Sequence, residues 1–597
     1  MKDTFLTFLC LVAINIYAQC PFAAEFNKTT PKRDLRGVFL TSVYNLDWPT
    51  SRTATPAAQQ QELIAILNNL RNNGYNTVFM QVRPECDALY ASNIEPWSYR
   101  LTGTQGQPPS PLWDPLAFAI SEAHTRGLDL HAWINPYRVR ANITEYVAAT
   151  NSVLTMQPTW ILTASNNINL KILNPGLPAV QDYIKQIVVD IATRYDIDGI
   201  HFDDYFYPNA GMTTNQDSNT FATNNPTHIA TIDDWRRNNI NMLIGKVYDA
   251  IAIVNTTLNK NIVFGVSPAG IWKSGTPTAI SGNAAFSALF CDATAWLEAG
   301  KVDYLAPQTY WKITGARDYV ALTKWWNDQV KAKNKQLYLS QAYYRMTDGS
   351  GWPSTEIQNQ IIQNRAISLD ATFGQIAYNY SSIKNNSKNI NTLLNANQFR
   401  YKSFAPPIPD KDNVCPNEPL NILIDGMNLK WTVPTAATDG DVPTKYVVYA
   451  FDSPEQAISN QDDGSKIIDI TALNEITLTQ NQLETKFFVV SSLDKNNNEK
   501  GDFKHTTTLS NLVYESENSF SVYPNPFGNT FQILNNDQST KMILVQLYDL
   551  SGKMIWEQKS DIQPSLTINP AAIQSGFYIG KIVFDNEKSG SFKIIKK

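Results

Sequence analysis

The sequence predicts an α/β chain: a (β/α)8 TIM barrel followed by two small all-β domains, both β-sandwiches. Three observations carry this. Between residues 33 and 404, eight apolar runs of strand length alternate with stretches of helical spacing. Polar and aromatic residues gather just after nearly every run, as a ring of loops around one mouth requires. Beyond Phe404 the helical spacing stops, and short alternating runs between turns replace it. The competing arrangement is an open doubly wound sheet, but no glycine-rich phosphate loop follows the first strand.

Taken in order, Arg36 to Ser42 reads as the first strand. Pro56 to Asn73 carries Leu63, Ile66, Leu67 and Leu70 at helical spacing and stops at Gly74. Thr77 to Val82 is the second strand, Asp114 to Arg126 a helix stopped by Gly127, and Leu128 to Ile134 the third strand. After a long insertion, Leu177 to Tyr195 is a helix, with Val180, Ile184, Ile187, Val188 and Ile191 on one side. It leads into the fourth strand, within Asp196 to Pro208. Asp233 to Asn255 is a helix, Ile262 to Trp272 the fifth strand and its loop, and Val302 to Trp311 the sixth strand. Asp318 to Lys333 is a helix, Gln336 to Tyr344 the seventh strand, Thr355 to Leu369 a helix, and Gly374 to Tyr380 the eighth strand.

The chain of 597 residues is too long for one core. Residues 1–18 read as a signal peptide: Lys2 supplies charge, Phe5 to Ile16 is mostly apolar, and Ala18 suits the position before the cut. Gln19 before Cys20 is a poor lipobox residue. No other stretch is long and apolar enough for an integral membrane span. A net charge of -5 gives no electrostatic reason to expect a nucleic-acid partner. Cys20, Cys86, Cys291 and Cys415 are scattered without metal-ligand spacing, and are read as inert thiols. No cofactor is expected. The barrel spans 33–404, Ala405 to Asp410 is a stiff proline linker, a first sandwich spans 414–513, and a last β segment spans 519–597.

In a barrel the chemistry lies at the carboxyl ends of the strands. Those ends offer Gln81, Arg83 and Asp87; Trp133, Asn135 and Arg138; Asp203, Asp204 and Tyr205; Ser267; Gln308, Tyr310 and Trp311; and Tyr343. Acids, amides, arginines and aromatic plates together suit a sugar: rings stack on apolar faces, and amides and carboxylates bind hydroxyls. Asp203 and Asp204 are the catalytic candidates. On an extended strand His201, Asp203 and Tyr205 point one way, so Asp204 joins them only if the strand ends at Asp203 and the turn swings it inward. Gln81, Arg83, Asp87, Trp133, Asn135, Arg138, His201, Tyr205, Gln308, Tyr310 and Trp311 are read as substrate-binding. Glycoside hydrolysis commonly uses two carboxyl groups. Glu85 and Asp87 are the best remote second acids. With an N-acetylated sugar the substrate's own carbonyl attacks instead, and adjacent acids orient it and protonate the leaving oxygen. His131, His201 and Asp203 also raise a metal-dependent deacetylase, against two hydrogen-bonded barrel histidines. Arg83 and Arg138 either grip a substrate carboxylate or form salt bridges to Asp87 or Asp204.

Several motifs carry a resemblance. Arg36-Gly37-Val38, Gln81-Val82-Arg83-Pro84 with Asp87 and Tyr90, Trp133-Ile134-Asn135-Pro136-Tyr137-Arg138, Asp198 to Pro208, Ser267-Pro268 and Pro307-Gln308-Thr309-Tyr310-Trp311 resemble the bacterial glycosyl-hydrolase-like family ten, formerly the domain of unknown function 187. The match runs from about Arg33 to Tyr401. It implies a barrel glycosidase acting on peptidoglycan glycan strands stripped of stem peptides, whose N-acetyl groups and lactyl carboxylate suit the acids and arginines. Trp431 with Tyr446 and Tyr449 resembles a fibronectin type III module. Val522-Tyr523-Pro524-Asn525-Pro526-Phe527, Leu547 to Lys553, Gly576-Phe577-Tyr578 and the tail Lys596-Lys597 resemble the type A C-terminal sorting domain of type IX secretion in Bacteroidetes. That implies the type IX machinery as a partner and a secreted or outer-membrane-attached location. The non-enzymatic alternative is a glycan-binding surface protein.

Overall fold

The computed structural model describes residues 20, 27–165, 167–204, 206–208, 216–366, 368–408, 410–508, 520–536, 541–550, 552–562, 565–570, 572–585 and 589–597. The expected signal peptide and Tyr205 lie outside the described residues.

Eight strands close into a parallel barrel: β1 (Leu35–Leu40), β2 (Thr77–Arg83), β3 (Asp129–Ile134), β4 (Gly199–Phe202), β5 (Val263–Val266), β6 (Tyr304–Leu305), β7 (Gln336–Ala342) and β8 (Thr372–Tyr378). Helices Pro56–Asn72, Pro115–Thr125, Pro178–Arg194, Ile232–Leu258, Tyr319–Lys331 and Ser354–Asn364 cover the outside. Their starts follow local chemistry. Pro56 and Pro115 sit in first turns, where a missing N–H costs nothing, and Thr55 and Asp114 cap them through their side-chain oxygens. Leu63, Ile66, Leu67 and Leu70 all pack inward. A short helix, Ala293–Glu298, between β5 and β6 was not expected from spacing. The sixth strand is far shorter than expected, because Pro307 lacks an N–H for the ladder and Gln308 onward becomes loop.

The lumen is a packed aromatic column. Phe39, Phe79, Trp133, Tyr304, Tyr338 and Ile376 fill it. His131 and His201 stand in the same column, with both Nδ1 atoms on the Tyr304 hydroxyl, at 2.9 and 3.0 Å. Gly199 makes room for this: a Cβ there would lie 2.5 Å from His131 Nδ1. That is the physical reason glycine precedes Ile200.

The amino-terminal end of the barrel is sealed. Ala405 and Ile408 of the linker join Leu35, Val263 and Tyr338. Below them lies the first sandwich. One sheet is Leu420–Asp425, Asn428–Thr432 and Glu475–Thr477, and the other is Ile467–Thr471, Lys445–Phe451, Phe487–Leu493 and Glu499–Gly501. It docks against the strand-start end of the barrel, on residues of a strand, a helix end and a loop. Asp129 takes Lys445 and, at 3.2 Å, the Asn497 amide, and Asp196 takes Lys495. Arg71 reaches Asp469 at 3.3 Å. A further pair of antiparallel sheets within 520–596 encloses its own core around Phe527, Phe531, Ile533 and Val545.

The reading of the cysteines as inert thiols needs correction. Cys20 and Cys415 form a disulfide, with Cα atoms 4.7 Å apart, and Cys86 and Cys291 are the buried free thiols. Scattered spacing concealed the pair, because the barrel folds between them. Among the described residues, no helix is long and apolar enough to cross a membrane.

Candidate functional site

The carboxyl-terminal mouth is built around the end of β4. The strand stops at Phe202, so the next two residues leave the two-residue alternation. His201 faces the lumen, with its ring centroid 5.0 Å from that of Phe79. Phe202 packs outward against Phe264. Asp203 and Asp204 are thereby free of the strand rule.

Asp203 is buried and accepts a hydrogen bond from Asn135 Nδ2. Asn135 Oδ1 takes one from Gln81 Nε2 at 2.5 Å. Gln81 Oε1 accepts from the backbone N–H groups of Ser42 and Val43, at 2.9 and 2.8 Å. A relay of amides therefore runs from the end of β1 through β2 and β3 to the β4 carboxylate. Each of the two side-chain amides donates through its nitrogen and accepts through its oxygen. The chain of bonds fixes which amide atom faces the acid.

Asp204 lies beside Gln308 and Arg138. Burial raises its carboxyl above the usual range, while a hydrogen bond from the Gln308 side chain and the Arg138 charge pull it back. Tyr310, after β6, feels both acids, and burial with these charges lifts its phenol well above the ordinary value. Its ring lies 6.0 Å from those of Tyr344 and Tyr378. Trp311 lies on the same loop, half-buried, with the Arg317 guanidinium 5.8 Å over its ring. Ser267 is taken up by the Ala306 carbonyl at 2.6 Å.

The structure thus brings together Gln81, Asn135, Arg138, Asp203, Asp204, Gln308, Tyr310 and Trp311. Others expected there have different duties. All the Arg83 donors are used internally: Nε and Nη2 on Glu95, both at 2.7 Å, Nη1 on the carbonyls of Asn135 and Pro136, and Nη2 also on Cys86. No N–H remains for a ligand, and its partner is neither Asp87 nor Asp204. Asp87 is enclosed, accepting from Tyr99 N and Gln105 Nε2 at 3.3 Å each. Burial and the Glu85 charge push its carboxyl up to about 7. Glu85 is bound by Arg100 at 2.9 Å. Both remote acids therefore belong to the loop framework. Trp133 and His201 fill the lumen beneath the mouth. Tyr343 is buried in the outer core, while its neighbour Tyr344 reaches the mouth.

Sequence reasoning passed over two residues. Tyr44, after β1, is 59% exposed, has a left-handed backbone with φ 56°, and lies 5.1 Å over Arg100. Strain at a non-glycine residue on the carboxyl-terminal face of the barrel is a signal that no composition reveals. Asp47 ties the loops after β1 and β8 through Thr41 N and Ser381 N, both at 2.9 Å, and burial raises it to about 6.

The deacetylase arrangement is not assembled. Among the described residues, His131, His201 and Asp203 do not converge as ligands. Burial lowers both imidazoles, His131 to about 4. Both rings share the Tyr304 phenol.

Residues 34–353 match the family model described as Glycosyl hydrolase-like 10, and residues 521–597 match that of the secretion system C-terminal sorting domain. The chain is 34% identical over 399 residues to glycosyl hydrolase YngK of Bacillus subtilis (strain 168), covering 65% of this chain and 76% of that one. It is 39% identical over 337 residues to glycosyl hydrolase DigH of Escherichia coli (strain K12), covering 53% of this chain and 74% of that one. Among solved structures it is similar to the PgaB (BpsB) glycoside hydrolase domain from Bordetella bronchiseptica. The TM-score there is 0.40 at 15% identity, over 61% of this chain and 98% of that one.

Proposed function

Because the chain belongs to the glycosyl hydrolase-like 10 family, we propose that it is an exported glycoside hydrolase whose reaction is carried by Asp203 and Asp204. The observation that supports this reading most is the amide relay from Gln81 through Asn135 to Asp203, with Asp204 next to it under Gln308 and Arg138. Glu85 and Glu95, two further acids of these loops, are committed to Arg100 and Arg83, and Asp87 and Asp47 are taken up by loop donors. An adjacent pair then does the work of two separated carboxylates.

That favours substrate assistance. The N-acetyl carbonyl of the sugar attacks its own anomeric carbon. Asp203, oriented by Asn135, accepts a hydrogen bond from the amide N–H and stabilises the oxazolinium ring that forms, the nitrogen keeping its proton throughout. Asp204, whose carboxyl burial raises above the usual range, is the proton donor to the leaving glycosidic oxygen. Water then opens the ring, with Asp204 taking back a proton. The substrate class is N-acetylated glycan, foremost peptidoglycan strands lacking stem peptides, with Tyr310, Tyr344 and Trp311 as stacking surfaces and Arg138 as the cation for a lactyl carboxylate. The first sandwich is a fibronectin type III-like spacer, and the C-terminal segment directs passage to the cell surface or medium.

Mass spectrometry of products from denuded glycan strands tests this, comparing wild type with Asp203→Asn and Asp204→Asn. Each variant is expected to lose at least about 100-fold in turnover. Near-native turnover in both would overturn the assignment. Binding by wild type without release of new reducing ends would instead identify a glycan-binding surface protein.

A further inference from the structure

At the sealed end of the barrel, far from the mouth, three aspartates converge and a fourth, Asp494, faces one of them. Asp412 comes from the segment after the linker, Asp439 and Asp441 from the loop before the strand Lys445–Phe451, and Asp494 from the residue after the strand Phe487–Leu493. One carboxylate oxygen from each of Asp412, Asp439 and Asp441 lies within 4.8 Å of the others. Acidic clusters are common on surfaces, and this one alone would carry nothing.

Asp494 makes the difference. It is fully buried. Its Oδ1 accepts from Asn498 N at 2.9 Å, but Oδ2 has no hydrogen-bond partner. Its carboxylate is turned to that of Asp412 at hydrogen-bonding range and feels the charge of Asp441. Two carboxylates face to face need either a proton or a cation between them. The barrel contributes only an uncharged group here: Asn261 Nδ2 reaches Asp441 Oδ2 at 2.8 Å and Asp412 Oδ2 at 3.4 Å. The Lys495 charge reaches Asp441, but its ammonium is engaged by Asp196, and Lys411 is taken by Asp303. Asp412, Asp439, Asp441 and Asp494 have no Lys or Arg ion pair among the described residues.

We propose that Asp412, Asp439 and Asp441, with the buried Asp494 carboxylate against Asp412, bind one calcium ion that clamps the segment after the linker and the first sandwich against the barrel base. Hard oxygen ligands of mixed burial suit calcium, which accepts six to eight such ligands in loose geometry, better than magnesium, which demands a tight octahedron. Exposed Asp439 gives the ion its way in, and water completes the shell. Affinity in the range of extracellular modules, about 10⁻⁴ to 10⁻³ M, would be saturated outside the cell and nearly empty in a cytoplasm. The ion joins segments that are distant in sequence, so binding it stabilises the docked arrangement by mass action.

The test uses the full chain freed of divalent metal with a chelator. Calorimetric titration with calcium chloride is expected to give one site per chain, and thermal unfolding a rise of a few degrees at ten times Kd. Asp439→Asn, on the exposed loop where folding is not at stake, and Asp441→Asn should each weaken binding at least about tenfold and abolish the rise. Magnesium chloride at the same concentration should give a much smaller shift. The proposal fails if calcium gives no saturable binding up to about 10 mM, if Asp439→Asn and Asp441→Asn bind as wild type does, or if magnesium matches calcium.

Discussion

Asn135 holds Asp203 by its amide nitrogen and is itself held, through its amide oxygen, by Gln81 at 2.5 Å. The acid therefore depends on two side chains that carry no charge of their own. Asn135→Ala should lower kcat about 100-fold with little change in KM, since a carboxylate displaced by about an ångström loses alignment rather than binding. Gln81→Ala, one step back, should produce the same split more weakly. A rise in KM with kcat intact in both variants would mean that the amides touch substrate and do not position the acid.

The pH dependence has a definite sign. Asp204 sits above its ordinary value because burial disfavours its charged form, and Gln308 and Arg138 oppose that. An acid that must be protonated to act loses activity as pH rises through its pKa. Removing the Gln308 hydrogen bond takes support from the charged form, so Gln308→Ala should move the basic limb of the kcat/KM profile upward. A limb that stays put or moves down, measured on soluble N-acetylated oligosaccharides, counts against Asp204 as the proton donor.

Arg83 and Glu95 form a fully buried pair, 2.7 Å apart. Removing one partner of such a pair strands a charge, at a cost of about 3–5 kcal/mol. Arg83→Gln should therefore lower the denaturant midpoint sharply. It should leave unchanged the ratio of KM values for glycans with and without a lactyl carboxylate. A variant of normal stability that no longer distinguishes those glycans would restore Arg83 to the substrate.

Tyr44 projects from the mouth with a strained backbone. Loss of one stacking face costs about 1 kcal/mol. Tyr44→Ala should raise KM roughly fivefold at unchanged kcat, as read from initial rates on oligosaccharides of increasing length. An unaltered KM at every length would leave the exposed ring without a part in binding.

The Cys20–Cys415 bond closes a separation of 395 residues. Bonds of this kind contribute about 2–4 kcal/mol, mostly by restricting the unfolded chain. Cys415→Ser should melt earlier than wild type, and reductant should lower the wild-type midpoint while leaving the variant where it is. Equal midpoints in all conditions would show that the bond adds nothing to stability.

The barrel was legible because its signals are local. Leu63, Ile66, Leu67 and Leu70 announce a helix through spacing alone, and all four are buried where that spacing puts them. The amide and acid positions at the ends of β2, β3 and β4 were legible for the same reason. What escaped was choice among partners. Nothing in the sequence tells Arg83 to take Glu95 in preference to nearby Asp87, because a loop brings the former round and encloses the latter. Nor does spacing reveal that Cys20 meets Cys415 or that Asp494 turns toward Asp412. Those pairings exist only once the sandwich has docked. Tyr44 escaped because a left-handed tyrosine is a product of the fold, not a propensity of the residue.

The sandwich, the linker and the disulfide all gather at the closed end of the barrel, opposite the acids. Both routes by which the chain leaves the barrel thus start from the floor. The contacts that hold the sandwich are spent on the closed end, and the loops that carry Asp203 and Asp204 stand at the other.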